Sequence, residues 1–219
     1  MKKKTKRSRQ EEMLTSFAPR TTIILLISQI TKYRISMNTK FKGVNVMLEG
    51  ALLNIGDAMP EFKLTRTDLS EFDSRECRGM WLVLNIFPSL DTSVCAMSVR
   101  KFNEQAAKLR NTLVLCISRD LPFAMDRFCA TAGIKTAIPL SDFHYGSTFG
   151  RDFGVMQTTG PLNGLFARAV YVVSPDRKIV HAELVPEITQ EPNYLAALRA
   201  ISRCSPCSPS LPDFMDFFI

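Results

Sequence analysis

Residues 81–87, WLVLNIF, form a continuous apolar run of strand length, and a second such run, TLVLCIS, follows at 112–118. Runs of this kind offer water no polar face, so both are expected in the middle of a sheet covered on its two sides. Between them, apolar or small residues fall at Val99, Phe102, Ala106 and Leu109. Steps of three and four draw one face of a helix. With 219 residues, of which 46% are hydrophobic and 22% charged, the chain is long enough for one well-buried domain plus appendages.

The flanking segments extend the pattern. TKFKGVNVML, with Gly43 at its turn, reads as a hairpin, and EFKLT as a short strand. LPFAMDRFCATAG reads as a helix ended by Gly133. ARAVYVV and KIVHAELV pair around SPDRK, and EPNYLAALRAIS is a helix with Pro192 in its first turn. The order strand, helix, strand, helix, antiparallel hairpin, helix specifies an α/β architecture of thioredoxin-like type. Its central mixed sheet is flanked by helices, and an N-terminal β-hairpin is added.

The net charge of +7 invites a nucleic-acid or membrane partner. Its location argues otherwise. Residues 1–36 hold nine basic side chains against Glu11 and Glu12, which accounts for the whole excess and leaves the remainder neutral. No nucleic-acid surface is therefore expected on the body. The basic start followed by TIILLISQI resembles the opening of a signal peptide, yet the apolar stretch spans only Ile23–Ile30 and no small-x-small cleavage site follows. It is also too short for a membrane span. The plainer reading makes Met37 a self-sufficient start and residues 1–36 a basic leader, a disordered tail or an over-called reading frame. The domain is then 37–202, with 203–219 a C-terminal appendage broken by prolines, and the location cytoplasmic. Six cysteines, widely spread, do not form the framework of a disulfide-stapled secreted scaffold.

Pro88 stops the first apolar run, Thr92 is a good helix N-cap, and Cys95 lies three residues on, in the first helical turn. Unpaired backbone N–H groups and the positive end of the helix dipole favour a thiolate there. The competing reading is that Thr92 only caps and Cys95 is an inert small hydrophobe. Arg168 is similarly two-sided. Inside LFARAVYVV it needs an anion or a dense set of acceptors if buried, whereas at a strand end it would point to water.

The spacing Pro-x-x-x-Thr-x-x-Cys, within NIFPSLDTSVCAMSVRKFN, resembles the active-site signature of peroxiredoxins, in the form found in bacterial thiol peroxidases, the atypical two-cysteine branch. The similarity runs from about Phe41 to about Ala200 and includes LVLCISRDLPFAMDRFC, GPLNGLFARAVYVV and LVPEITQEPNY. The resemblance implies a thiol peroxidase reducing hydrogen peroxide and organic hydroperoxides, with Cys95 peroxidatic and Cys129 resolving through an intrachain disulfide. It further implies that Thr92 hydrogen-bonds the thiolate or the peroxide, that Pro88 shapes and shields the pocket, and that Arg168 stabilises the thiolate and the peroxide oxygens. No metal, flavin or haem cofactor is required. Thioredoxin is the implied reductant and a homodimer the implied assembly. Because a disulfide needs Cα atoms roughly 4.4–6.8 Å apart, two cysteines on separate helices should require local unwinding to join.

Other thiols carry less. Cys116 reads as a buried strand residue, and Cys77 as a loop thiol open to adventitious oxidation. Cys204 and Cys207 form a C-x-x-C pair without the helix or second ligand pair that a dithiol or zinc site needs. Phe87, Met97, Phe123 and Met125 are candidates either for an apolar pocket lining or for the core. Two alternative functions stay open: a disulfide oxidoreductase, for which Ala96–Ser98 supply no partner thiol, and a thiol-based peroxide sensor using the same Cys95 chemistry.

Overall fold

The computed structural model of the chain describes residues 36–204, with side chains from 39 to 202. The readings of the leader, of the C-terminal appendage and of the Cys204–Cys207 pair concern residues that lie outside this range or at its edges. In chain order the elements are β1 (Ser36–Phe41), β2 (Val44–Glu49), β3 (Lys63–Thr65), β4 (Glu71–Asp73), a 3-10 turn (Ser74–Cys77), β5 (Trp81–Ile86), α1 (Ser93–Ala106) and β6 (Thr112–Ser118). There follow α2 (Pro122–Ala132), β7 (Ile138–Ser141), α3 (Phe149–Asp152), β8 (Met156–Gln157), β9 (Ala169–Val173), β10 (Ile179–Leu184) and α4 (Tyr194–Cys204).

Seven strands make one sheet in the order β10-β9-β5-β6-β7-β3-β4. β5 is an inner strand, third in this order, parallel to β6 and antiparallel to β9, and all six of its residues are buried. Period-two alternation sends Leu82, Leu84 and Ile86 to one face, among Phe62, Phe149, Phe153 and Phe166. Trp81 and Val83 go to the other, against Val99 and Phe102 of α1 and Ala197 of α4. Each large side chain so buried contributes about 1.5–3 kcal/mol. The mixed thioredoxin-like architecture is thus present, with α1, α2 and α4 packed along the sheet.

The hairpin β1–β2 and β8 make a second, three-stranded sheet. Phe41 pairs with Val44, leaving a two-residue loop in which Lys42 and Gly43 both take positive φ, as a type I′ turn requires. The loop's N–H groups donate to the Glu187 carboxylate at 3.0 and 2.9 Å, and Ile188 N–H donates to the Lys40 carbonyl at 2.8 Å. The hairpin therefore braces the segment 186–188, a support that becomes important at Arg168.

Several local expectations change. Leu109 follows the end of α1 rather than lying on its face, although it still packs on the core. Pro192 precedes α4, whose first turn is capped by Asn193 Oδ1 accepting from Ala196 N–H at 3.0 Å. Cys77 ends the 3-10 turn and is 5% exposed, so the reading of a loop thiol open to adventitious oxidation fails. Its thiol is pushed up by burial. Cys116 is a buried strand residue, its thiol raised by burial to about 12. Phe87 and Met125 are fully buried core, whereas Met97 and Phe123 are exposed.

Gly133 closes α2 in the left-handed conformation, φ +66°, its N–H donating to the Cys129 carbonyl. A Cβ there would meet nothing within 4 Å. Gly133→Ala should therefore cost only the backbone term, about 1 kcal/mol by urea unfolding, with no packing penalty added. A loss several times larger would mean that the helix end has a tertiary role beyond its cap.

Candidate active site

β5 ends at Ile86, and Pro88 lies buried in the turn that leads to α1. Thr92 occupies the N-cap position with extended backbone, but its side chain makes no capping bond. The hydroxyl lies instead 2.8 Å from Cys95 Sγ and 3.1 Å from the Ser89 carbonyl. One hydroxyl carries one proton, so the two contacts differ in kind according to the state of the sulfur. A thiolate accepts from Thr92, while a thiol donates to it and leaves the hydroxyl proton for Ser89. The expectation of a side-chain cap is thus replaced by a sulfur contact.

Arg168 immediately precedes β9 and is 1% exposed, so it does not point to water. The register explains its reach. Ile86 of β5 pairs with Ala169 of β9, which sets residue 168 beside the strand end from which the Cys95 loop departs. Its Nη2 donates to Cys95 Sγ at 3.2 Å and its Nε to the Ile188 carbonyl at 2.9 Å. The third nitrogen, Nη1, is buried and has no hydrogen-bond partner among the described residues. A buried guanidinium with a spare donor beside a sulfur is a site prepared for an additional acceptor.

Cys95 itself is 0% exposed, whereas Thr92 on its flank is exposed. Beneath the sulfur, Ser98 Oγ donates to the Cys95 carbonyl at 2.9 Å, and Asn85 Nδ2 of β5 donates to Ser98 Oγ at 3.2 Å. Neither residue was singled out from sequence, although a polar Asn85 inside WLVLNIF was the available signal. Cys129 is half-buried in the last turn of α2 and is free, as is Cys95. Burial, with the charge of Asp126 second, raises its thiol to about 11. The structure thus brings Cys95, Thr92 and Arg168 together, with Pro88 in the same loop and Cys129 on a separate helix.

Comparison with known proteins supplies the family. The redoxin family profile matches residues 54–198. Over 164 residues the chain is 52% identical to the thiol peroxidase of Corynebacterium glutamicum, covering 75% of this chain and 98% of the relative. The chain belongs to the redoxin family, in its thiol peroxidase branch. With that membership comes the enzyme class, an oxidoreductase of the peroxidase type. The thiol peroxidase of Mycobacterium tuberculosis (strain H37Rv) is 48% identical over 160 residues, covering 73% of this chain and 95% of the relative. Among solved structures, a peroxiredoxin-like protein of Aquifex aeolicus superposes with TM-score 0.72 at 36% identity, covering 78% and 98% of the two chains. The Chromobacterium violaceum thiol peroxidase, TM-score 0.71 at 15% identity over 78% and 98%, shares the fold. Among the described residues of this thiol peroxidase, no helix is long and apolar enough to cross a membrane.

Arg168→Met keeps most of the side-chain volume and removes the charge. Oxidation of Cys95 by hydrogen peroxide should slow by about 10²- to 10³-fold, as when a preorganised donor is lost from a site of developing charge. Folding stability should also fall, by about 1–3 kcal/mol, because the Ile188 carbonyl and the sulfur lose their buried donor. A variant that oxidises at the wild-type rate would make Arg168 a packing residue.

Proposed function

We propose that the chain reduces hydrogen peroxide and organic hydroperoxides through Cys95, and that the contact of its sulfur with both Thr92 Oγ1 and Arg168 Nη2 is the observation that carries the reading. The thiolate attacks one peroxide oxygen as the O–O bond breaks. The other oxygen leaves as hydroxide or alkoxide, takes a proton and departs as water or alcohol, and the sulfur becomes a sulfenic acid. Thr92 donates to the attacking sulfur or to the incoming oxygen. Arg168 Nη1, with no hydrogen-bond partner among the described residues, is available to the oxygen on which negative charge grows. Pro88, buried in the same loop, helps to shield the reacting sulfur from water.

The second half of the cycle is assigned to Cys129. Its sulfur displaces the sulfenic hydroxyl of Cys95, forming the disulfide and releasing water. A dithiol of thioredoxin type then takes up the disulfide by exchange, becoming oxidised itself. Two features support local unwinding before the sulfurs meet. Cys95 is enclosed in the first turn of α1, and Cys129 stands in the last turn of α2, where helices open at least cost. A thiol held at about 11 by burial is also a poor nucleophile at neutral pH, and exposure on unwinding would return it towards its ordinary value. The same reading includes a homodimer, a cytoplasmic location, and residues 37–202 as the catalytic domain between a leader and an appendage.

Intact mass and peptide mapping after one equivalent of hydroperoxide test the assignment. Loss of two hydrogens mapped to Cys95 and Cys129 is expected. Cys95→Ser should abolish peroxide consumption, and Cys129→Ser should complete one oxidation and then stall with thioredoxin. Sustained thioredoxin-linked turnover in the Cys129 variant would remove the resolving role.

The pH dependence of disulfide closure tests the unwinding. The rate should rise from pH 7, as Cys129 loses its proton, and level near about pH 8.5, the ordinary range of an exposed thiol. A rate still climbing towards the value of about 11 set by the folded helix would show attack without unwinding.

A further inference from the structure

The loop that carries Cys95 is held from outside by one side chain. Asp120 lies between the end of β6 and the start of α2, the helix that bears Cys129. Its Oδ1 accepts from Ser89 Oγ at 2.7 Å, and its Oδ2 accepts from Leu90 N–H at 2.7 Å and from Ser118 Oγ at 2.7 Å. Its backbone is fixed as well, the N–H donating to Ser118 Oγ at 3.2 Å and the carbonyl accepting from Ser141 Oγ of β7. Three donors thus converge on one carboxylate, and two of them belong to the turn just before the catalytic cysteine.

That turn reaches the sulfur by a short path. The Ser89 carbonyl accepts from Thr92 N–H at 3.2 Å and is the alternative acceptor of the Thr92 hydroxyl, which itself contacts Cys95 Sγ. The orientation of Ser89 therefore sets where the Thr92 hydroxyl points. We propose that Asp120 is a positioning residue for the peroxidase reaction, holding the Ser89–Leu90 turn so that Thr92 is aimed at Cys95, and that its bonds must be released before Cys95 can join Cys129. The proposal rests on the peroxidase reading above and adds to it a link between the two redox segments. The same carboxylate holds the loop before one cysteine and stands at the head of the helix that bears the other. It favours attack on peroxide while it is engaged and restrains disulfide closure until it lets go.

Asp120→Asn removes the charge and replaces one of the two carboxylate oxygens by an amide NH2, which cannot accept, so the three donors are left with a single neutral oxygen. The full chain, wild type and variant, is mixed with hydrogen peroxide, quenched at intervals, and assayed by mass for sulfenic acid and for disulfide. The bimolecular oxidation of Cys95 should slow by about tenfold or more, the cost of a slightly misplaced reacting group. Disulfide closure should not slow, and should quicken if release of the clamp limits it. A residue that merely stabilises the fold would not divide the two steps. Ser89→Ala removes the Oδ1 contact from the opposite side and serves where Asp120→Asn fails to fold. It should give the same division with a smaller effect, and the double variant should be no slower than Asp120→Asn alone. Wild-type oxidation rates in both variants, or equal slowing of both steps, would overturn the role of Asp120. A wild-type chain whose Cys95 stays unoxidised would overturn the peroxidase reading itself, and this role with it.

Discussion

Arg168 beside Cys95 is the contact around which the rest of the site is arranged. A guanidinium with 1% exposure is costly unless acceptors surround it, and here the acceptors are the cysteine sulfur and the Ile188 carbonyl. Each demands its own scaffold. The sulfur arrives through the β5–α1 turn, and Arg168 through the register that pairs Ile86 with Ala169. Ile188 is held by the N-terminal hairpin, whose backbone grips residues 187 and 188. The hairpin added to the thioredoxin-like core thus bears indirectly on the chemistry, because it fixes an acceptor of the buried cation.

The polar network on the other side of the sulfur has a different character. Thr92 forgoes a capping bond and turns its hydroxyl to the sulfur and to Ser89. Ser98 and Asn85 tie the same helical turn to the central strand, and Asp120 ties the preceding loop to the strand–loop–helix unit that carries Cys129. Such bonds fit the cycle proposed above, in which the nucleophile is fixed for attack and mobile for disulfide closure. Individually modest hydrogen bonds suit that requirement, since each is strong enough to orient and weak enough to break.

Much of the fold is legible in the sequence. WLVLNIF and TLVLCIS announce buried parallel strands because a strand covered on both faces has no polar side, and both occupy the centre of the sheet. Gly43 in the hairpin turn and Gly133 at the helix end follow from backbone chemistry that few other residues satisfy. The short elements were not legible. β4, β7, α3 and β8 have three, four, four and two residues, too few to display a period, and they form because long-range partners complete them. Cys77 reads as a loop thiol among its charged neighbours, and only its place in the core cluster with Phe62, Leu64 and Phe72 buries it.

Residue types and spacings alone determined the position of a cysteine at a helix start, the family signature around it and the thioredoxin-like order of elements, because these depend on contacts within a few positions. Tertiary structure decided what Thr92 does with its hydroxyl, that Arg168 is buried against the sulfur with one donor to spare, and that Asp120 joins the Cys95 loop to the α2 unit. Those outcomes depend on partners 20 to 73 positions away, or on a choice between two acceptors a few positions off. The order of residues along a chain does not encode such distances. They arise only when strand register and helix packing bring separate segments to hydrogen-bonding range.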